Sequence, residues 1–262
     1  MVRGRVLVIA GSDSGGGAGI QADIKTVMAL GGYAATAITA LTAQDTRQVY
    51  AVHAVPPDFL RLQIERALDD PGADAVKTGM LGDAATVELV AGLLEAKAHG
   101  LPLVVDPVMV AKGGQALLAR EAVAALKHRL APLATLLTPN LPEAEALTGK
   151  SIADVADMRR AAKALLALGS AAVLLKGGHL PGETVVDVLA TADDVEVFEH
   201  PRIATRHTHG TGCTLASAVA VGLAQGLALR AAVPRASAYV QAAIETAPGI
   251  GIGHGPLNHA VT

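Results

Sequence analysis

Tryptophan is absent from this chain of 262 residues, and only two phenylalanines and three tyrosines stand among its aliphatic residues. A core made without aromatics has to be filled by Ala, Val and Leu, and no aromatic–basic interleaving of the kind that reads nucleic acid can be assembled. An excess of positive charge is missing as well: 21 basic against 24 acidic residues leave a net −3. With no basic stripe to meet a phosphate backbone, nucleic acid is excluded as a partner. One cysteine, Cys213, excludes an internal disulfide and fits the reducing cytoplasm. The basic opening Met1-Val2-Arg3-Gly4-Arg5 is followed by an apolar run that ends at Gly11-Ser12-Asp13, too short for a signal peptide or a membrane helix. The expectation is a cytoplasmic protein with no membrane partner. Asparagine occurs only at 140 and 258 while alanine abounds, a bias that heat adaptation and genomic base composition both produce. The nine histidines include no H-E-x-x-H pair and no cysteine partner, so zinc is not expected.

What is present is a repeating order of short apolar runs, polar or glycine-bearing loops, and helical periods. Strands are expected over Arg5–Ala10, Tyr33–Leu41, Val49–Val55, Ala75–Lys77, Leu103–Val105, Thr135–Leu137 and Ala171–Leu175. Helices are expected over Ala18–Leu30, Asp58–Leu68, Ala84–Ala98, Ala119–Leu130, Glu143–Leu147 and Asp154–Leu168, then over roughly 211–226 and 230–247. Continuously apolar strands separated by helices predict a parallel sheet covered on both faces. Thr184–Leu189 and Glu196–Phe198, joined through Ala192-Asp193-Asp194, break the alternation and read as an antiparallel hairpin on one edge. With no repeat, linker or low-complexity stretch, the fold class is α/β, doubly wound, in a single domain over 1–262.

Ligands of such sheets sit beyond the carboxyl ends of the strands. Polar, flexible loops follow six of the strands here: Gly11 to Gly17, Thr42-Ala43-Gln44-Asp45, Lys77-Thr78-Gly79-Met80, Asp106-Pro107-Val108-Met109, Thr138 to Glu143, and Lys176-Gly177-Gly178. Gly210-Thr211-Gly212-Cys213 joins them at the start of an almost wholly apolar helix. A helix start offers unpaired N–H groups and the positive end of the dipole, which suit a phosphate. Taken alone, the turn reads first as an ordinary helix start with a buried, inert cysteine. Taken alone, Lys176 reads as a solvated strand end, and Asp106 and Glu143 as helix caps. Together these residues are the parts of Mg-assisted phosphoryl transfer: backbone donors, a cation, and carboxylates for a metal. The loop from Ser12 to Gly19 lacks the G-x-G-x-x-G spacing, an acidic ribose partner near position 40, and the Gly-Lys-Ser/Thr of a P-loop. That disfavours an NAD- or flavin-dependent oxidoreductase and leaves a flexible substrate loop or a plain turn. No hydrolase elbow surrounds Ser12, Ser14 or Cys213.

Seven segments carry a resemblance, in order along the chain: Ala10-Gly11-Ser12-Asp13-Ser14-Gly15-Gly16-Gly17-Ala18-Gly19-Ile20-Gln21-Ala22-Asp23, Ala40-Leu41-Thr42-Ala43-Gln44, Lys77-Thr78-Gly79-Met80-Leu81, Val105-Asp106-Pro107-Val108-Met109, Thr138-Pro139-Asn140, Leu175-Lys176-Gly177-Gly178-His179 and His209-Gly210-Thr211-Gly212-Cys213-Thr214. They resemble the hydroxymethylpyrimidine/phosphomethylpyrimidine kinases of thiamine biosynthesis. The resemblance implies a ribokinase-like three-layer α/β/α fold, a homodimer, and the use of ATP and Mg2+ to phosphorylate 4-amino-5-hydroxymethyl-2-methylpyrimidine and then its monophosphate. It implies that Gln44 hydrogen-bonds the pyrimidine, with Gly11, Asp23, Met80 and Val108 around it. Asp106 and Glu143 would lie near the metal, Asn140, Lys176 and Thr211 near the ATP phosphates, and Gly210 to Cys213 would form the anion hole. Gln44 offers a donor and an acceptor to an aminopyrimidine edge, and Met80 an adaptable apolar wall. Ribokinase-like sugar kinases usually end this turn in an aspartate base, whereas the pyrimidine kinases share the cysteine found here. Two roles stay open for Cys213: a thiolate base at a helix N-terminus, or a wall of the hole in a transfer that needs little base. The alternatives are a pyridoxine/pyridoxal kinase on the same fold and a non-catalytic pyrimidine-binding protein. Loss of Lys176 or of the glycine turn would mark the latter, and both are present.

Overall fold

A computed structural model describes residues 3–109, 117 and 119–261. Among the described residues nine strands form one sheet: β1 (Arg5–Asp13), β2 (Tyr33–Gln44), β3 (Val49–Ala54), β4 (Ala75–Thr78), β5 (Leu103–Val105), β6 (Leu136–Leu137), β7 (Ala172–Leu175), β8 (Thr184–Thr191) and β9 (Val195–Pro201). Their spatial order is β3-β2-β1-β4-β5-β6-β7-β8-β9. The six from β2 through β7 in that row are parallel, while β3 at one edge and β8 and β9 at the other run antiparallel to their neighbours. Eight α-helices alternate with them: α1 (Gly19–Ala29), α2 (Pro57–Asp69), α3 (Ala84–Lys97), α4 (Arg120–Ala125), α5 (Leu141–Thr148), α6 (Val155–Leu165), α7 (Thr211–Ala224) and α8 (Leu229–Glu245).

Each central strand supplies two cores at once. Val6, Val8 and Ala10 of β1 enter a cluster with residues of α1, α7 and α8, while Leu7 and Ile9 enter the opposite cluster with residues of α2 to α6. That division is the reason parallel strands read as unbroken apolar runs. The chain winds outward from β1 to β3, then returns to lay β4 on the other side of β1. The order reverses there, and a crevice opens at the carboxyl ends of the strands. α7 has no polar side from Thr214 to Gly222, where every residue is buried. Its N-terminus therefore lies deep in the molecule, at that crevice.

The doubly wound sheet with an antiparallel edge hairpin is as expected, and several boundaries differ. β1 continues through Asp13 across a bulge and pairs Ser12 and Asp13 with Leu41 and Thr42. β2 likewise runs on to Gln44, so two stretches read as loops are strand ends. Val49–Ala54 is a second antiparallel edge, turned back by Asp45, whose Oδ1 accepts the N–H groups of Arg47 (2.8 Å) and Gln48 (3.1 Å). The helix expected over Ala119–Leu130 divides into α4 and a π turn at Leu126–Leu130. α6 stops at Leu165, and a 3-10 turn carries the chain to Gly169, whose φ of +97° ends the helical path.

The segment after α8 is pinned beneath the helices by His259. Its Nε2 lies 3.0 Å from Thr214 Oγ1, and its carbonyl accepts the Tyr239 hydroxyl at 2.8 Å. Burial, aided by the charge of Lys25, pushes the imidazole down to about 4. The unfolded chain binds this proton near pH 6.5, so between those values it holds more protons than the folded chain. Stability from His259 is therefore complete above about pH 6.5 and is lost as pH falls toward 4, by about 1.4 kcal/mol per unit. Unfolding free energies of wild type and His259→Gln at pH 7 and pH 5 check this. The wild type is expected to lose more on acidification, and parallel losses would rule the linkage out.

Candidate active site

The crevice holds a cavity of about 960 Å³. Most residues expected at a site line it: Gly11, Gln44, Met80, Val108, Asp106, Asn140, Glu143, Lys176, Gly210, Thr211, Gly212 and Cys213. Gln44 enters from the end of β2, and Met80 from the turn after β4, its methyl lying against Gly11 where any side chain would collide. Asp23 does not line the cavity. It is fully buried on α1, with Lys77 Nζ donating to both of its oxygens at 2.9 Å and the Ser217 hydroxyl donating at 2.7 Å. Asp23, expected around the pyrimidine, thus has both carboxylate oxygens engaged by Lys77 and Ser217.

Charge concentrates at the ends of β5, β6 and β7. Lys176 donates to Asp106 Oδ1 at 2.9 Å, and the Thr138 hydroxyl donates to the same oxygen at 3.1 Å. Burial works against the Lys176 ammonium, but Asp106 and Glu143 outweigh it and hold the group above its ordinary value. Glu143 closes a capping box on α5. Its carboxylate accepts the Asn140 N–H at 2.8 Å, and Asn140 Oδ1 accepts the Glu143 N–H at 2.9 Å. Asn140 also bridges to Lys176 across the sheet. Burial pushes Glu143 up to about 7, Lys176 pulling the other way and Asp106 adding to the rise. Asp106 and Glu143 are thus a pair of hard oxygen donors beside one cation.

Facing them, α7 starts at Gly210 with φ +84° and with no side-chain cap. Only glycine suits that backbone, and a Cβ there would strike the Gly17 carbonyl oxygen. Helix geometry aims the first-turn N–H groups into the cavity that Thr211, Gly212 and Cys213 line. A Cβ on Gly212 would lie 3.2 Å from Lys176 Nζ, so the lysine reaches right up to the turn. Cys213 is half-buried. Burial pushes its thiol up to about 12, with Lys77 opposing and Asp23 and Asp106 reinforcing. At neutral pH the sulfur keeps its proton, which speaks against the thiolate base considered from sequence.

The glycine-rich loop is tied down by one side chain. Asp13 gathers it, accepting N–H groups from Gly15 (2.8 Å), Gly17 (3.1 Å) and Ala18 (2.8 Å), with His209 Nε2 at 2.9 Å. Burial would raise this carboxyl, yet His209 and the loop amides hold it below its ordinary value. Sequence reasoning missed Asp13, His209 and Lys77 as site residues. It also missed a second bay of the cavity, formed by Val185, Pro201, Ile203, Val240 and Ile244 with Ser237 and Gln241. Ser237 Oγ is buried there without a hydrogen-bond partner. Among the described residues no cluster of three or more His, Cys, Asp or Glu could cage a metal, and no helix is long and apolar enough to cross a membrane.

The phosphomethylpyrimidine kinase family profile matches residues 13–258. The thiamine biosynthesis bifunctional protein ThiED of Geobacter sulfurreducens is 54% identical over 98% of this chain and 52% of its own length. The chain thus spans about half of that relative. A hydroxymethylpyrimidine/phosphomethylpyrimidine kinase of Streptomyces coelicolor is 50% identical over 97% of this chain and 93% of its own. Among solved structures, an ADP complex of Bacillus subtilis pyridoxal kinase superposes with a TM-score of 0.92 at 41% identity, covering 98% of both chains.

Proposed function

The chain belongs to the phosphomethylpyrimidine kinase family, and on that premise we propose that it phosphorylates 4-amino-5-hydroxymethyl-2-methylpyrimidine and then its monophosphate with ATP, as a single kinase domain over 1–262. The observation that carries the reading is Lys176, paired with Asp106 and standing at the uncapped start of α7. In each step an acceptor oxygen bonds to the γ-phosphorus while its bond to the β–γ bridging oxygen breaks and ADP leaves. The acceptor is the hydroxymethyl oxygen first and a phosphate oxygen second. Lys176 and the amides of Gly212 and Cys213 hold the charge on the moving group, the Thr211 N–H being turned to the Thr208 carbonyl at 3.4 Å. In the first step the hydroxyl proton departs late, to a phosphoryl oxygen or to water, because the transition state is loose. Gln44 orients the ring against Gly11, Met80 and Val108. The second bay takes the nucleotide base, which gives Ser237 Oγ a partner.

The donor set fits Mg2+. Asp106 and Glu143 would be the two carboxylates to hold a magnesium ion brought in with ATP. When bound, it neutralises phosphate charge and aligns the leaving group. The same reading takes the enzyme to be a cytoplasmic homodimer, whose contact would cover the exposed Leu41, Tyr50 and Val52 on the outer strands.

Product analysis with the pyrimidine alcohol and Mg-ATP tests the function. The monophosphate and then the diphosphate are expected, and turnover of pyridoxal alone would transfer the chain to the alternative kinase. The wider family supports the first outcome: the curated relatives are named for the pyrimidine activity and the pyridoxal enzyme is a structural neighbour. Cys213→Ala and Cys213→Ser are expected to keep kcat within about tenfold of wild type across pH 6 to 9, because a protonated thiol is no base. A loss above a hundredfold in both would restore the base.

A further inference from the structure

His209 joins three segments of the site. Its Nε2 lies 2.9 Å from Asp13 Oδ2 and 3.2 Å from the side-chain amide of Gln44. Asp13, held ionised by the loop amides and His209, can only accept. Nε2 must therefore carry a hydrogen. With the Gln44 nitrogen toward it, two N–H donors would face each other, so the atom belonging there is Oε1. The other end of the amide lies 3.2 Å from Thr42 Oγ1, whose hydrogen goes to the Ser12 carbonyl at 3.0 Å. A hydroxyl with its hydrogen so used can only accept, which places the amide nitrogen on that side. The two ends agree once the Thr42 hydrogen goes to Ser12, the nearer of its two neighbours.

We propose that His209 and Thr42 fix the polarity of the Gln44 amide, oxygen toward His209 and nitrogen toward Thr42, and that this polarity selects a ring whose exocyclic amino donor and adjacent ring-nitrogen acceptor run in the same direction. The inference rests on the reading of Gln44 as the ring-facing residue. Oε1 keeps a lone pair for the amino group, and Nε2 keeps a hydrogen for the ring nitrogen. In the proposed substrate the hydroxymethyl group neighbours the amino group on the side away from that nitrogen. An amino group toward His209 therefore carries the hydroxymethyl toward Gly210-Thr211-Gly212-Cys213, which follow His209 directly. The reverse polarity would point the 2-methyl group there and leave nothing to phosphorylate. His209 is thus a positioning residue that sets which end of the ring meets the phosphate.

The test compares kcat/KM for the 4-amino alcohol with that for its 4-oxo analogue, which exchanges the pattern for an exocyclic acceptor and a ring N–H, in wild type, His209→Ala and Thr42→Val. The wild type is expected to prefer the amino alcohol by about a hundredfold or more, as sites built on buried hydrogen bonds do. Each variant frees the amide to turn, so the preference should fall by about tenfold or more while KM for ATP moves by no more than about twofold. Thr42→Val leaves the Asp13–His209 pair intact and decides the matter if His209→Ala does not fold. Retention of the wild-type preference in folded Thr42→Val overturns the inference. A wild type that phosphorylates both alcohols equally overturns it while leaving the kinase reading standing, and one that phosphorylates neither overturns both.

Discussion

Lys176→Ala is expected to lower kcat by about a thousandfold at saturating substrates, the usual scale for removing a preorganised charge from a developing phosphoryl or oxyanion centre. Three observations set that size. The ammonium lies at the start of α7, where a Gly212 Cβ would be 3.2 Å away. It is only 13% exposed, so little solvent screens it. Its charge is enforced by Asp106 and Glu143, so it is present throughout the neutral range. KM for ATP should rise far less, because the interaction strengthens as the phosphoryl group moves. The variant also leaves two buried carboxylates without their cation, so thermal melting must accompany the kinetics. Glu143, pushed up to about 7 already, can relieve that strain by taking a proton. A folded Lys176→Ala with kcat within tenfold of wild type would remove Lys176 from the mechanism.

The parts of this molecule that were legible in its sequence are those whose causes are local. β5 to β7 are unbroken apolar runs because both faces are buried, and that pattern needs no partner to be recognised. The Gly210-Thr211-Gly212-Cys213 turn was legible as the start of α7 because glycine suits the left-handed backbone there and the apolar run follows at once. What escaped depends on distant residues. Ser12 and Asp13 are polar and follow a glycine, yet they extend β1 because Leu41 and Thr42 are there to pair with them. β3 has strand composition, but its direction is set by the Asp45 turn rather than by its own residues. His209 lies 196 positions from the Asp13 it binds, and neither residue alone carries a sign of the other. Asp23 sits within a recognisable motif, which placed it at the substrate, whereas Lys77 claims it from 54 positions away.

That pair carries the largest expected effect on stability. Lys77 and Asp23 are both fully buried, and the ammonium bonds both carboxylate oxygens at 2.9 Å. Lys77→Met removes the cation that opposes the upward push of burial on Asp23, so the carboxyl is left dry and must take up a proton, with the Ser217 hydroxyl still beside it, a loss of about 3–5 kcal/mol. Domains of this kind have about 5–15 kcal/mol in all, so the single variant should unfold early in urea or fail to accumulate. Asp23→Leu should cost a comparable amount by stranding the lysine. The double variant Lys77→Met/Asp23→Leu removes both charges and their desolvation together and is expected to recover most of the loss. Additive penalties in that cycle would show that the two groups do not stabilise one another. The double variant also separates fold from chemistry. Lys77 lines the cavity, and a Cβ on Gly79 would lie 3.0 Å from its Nζ. Among the described residues it is one of two buried ammonium groups flanking Asp106 and Cys213. A pair that serves packing alone would return full turnover along with stability. The position of Lys77 on the cavity wall instead predicts a stable protein whose kcat stays depressed by about tenfold or more, since a buried positive charge near the transferring phosphate is gone.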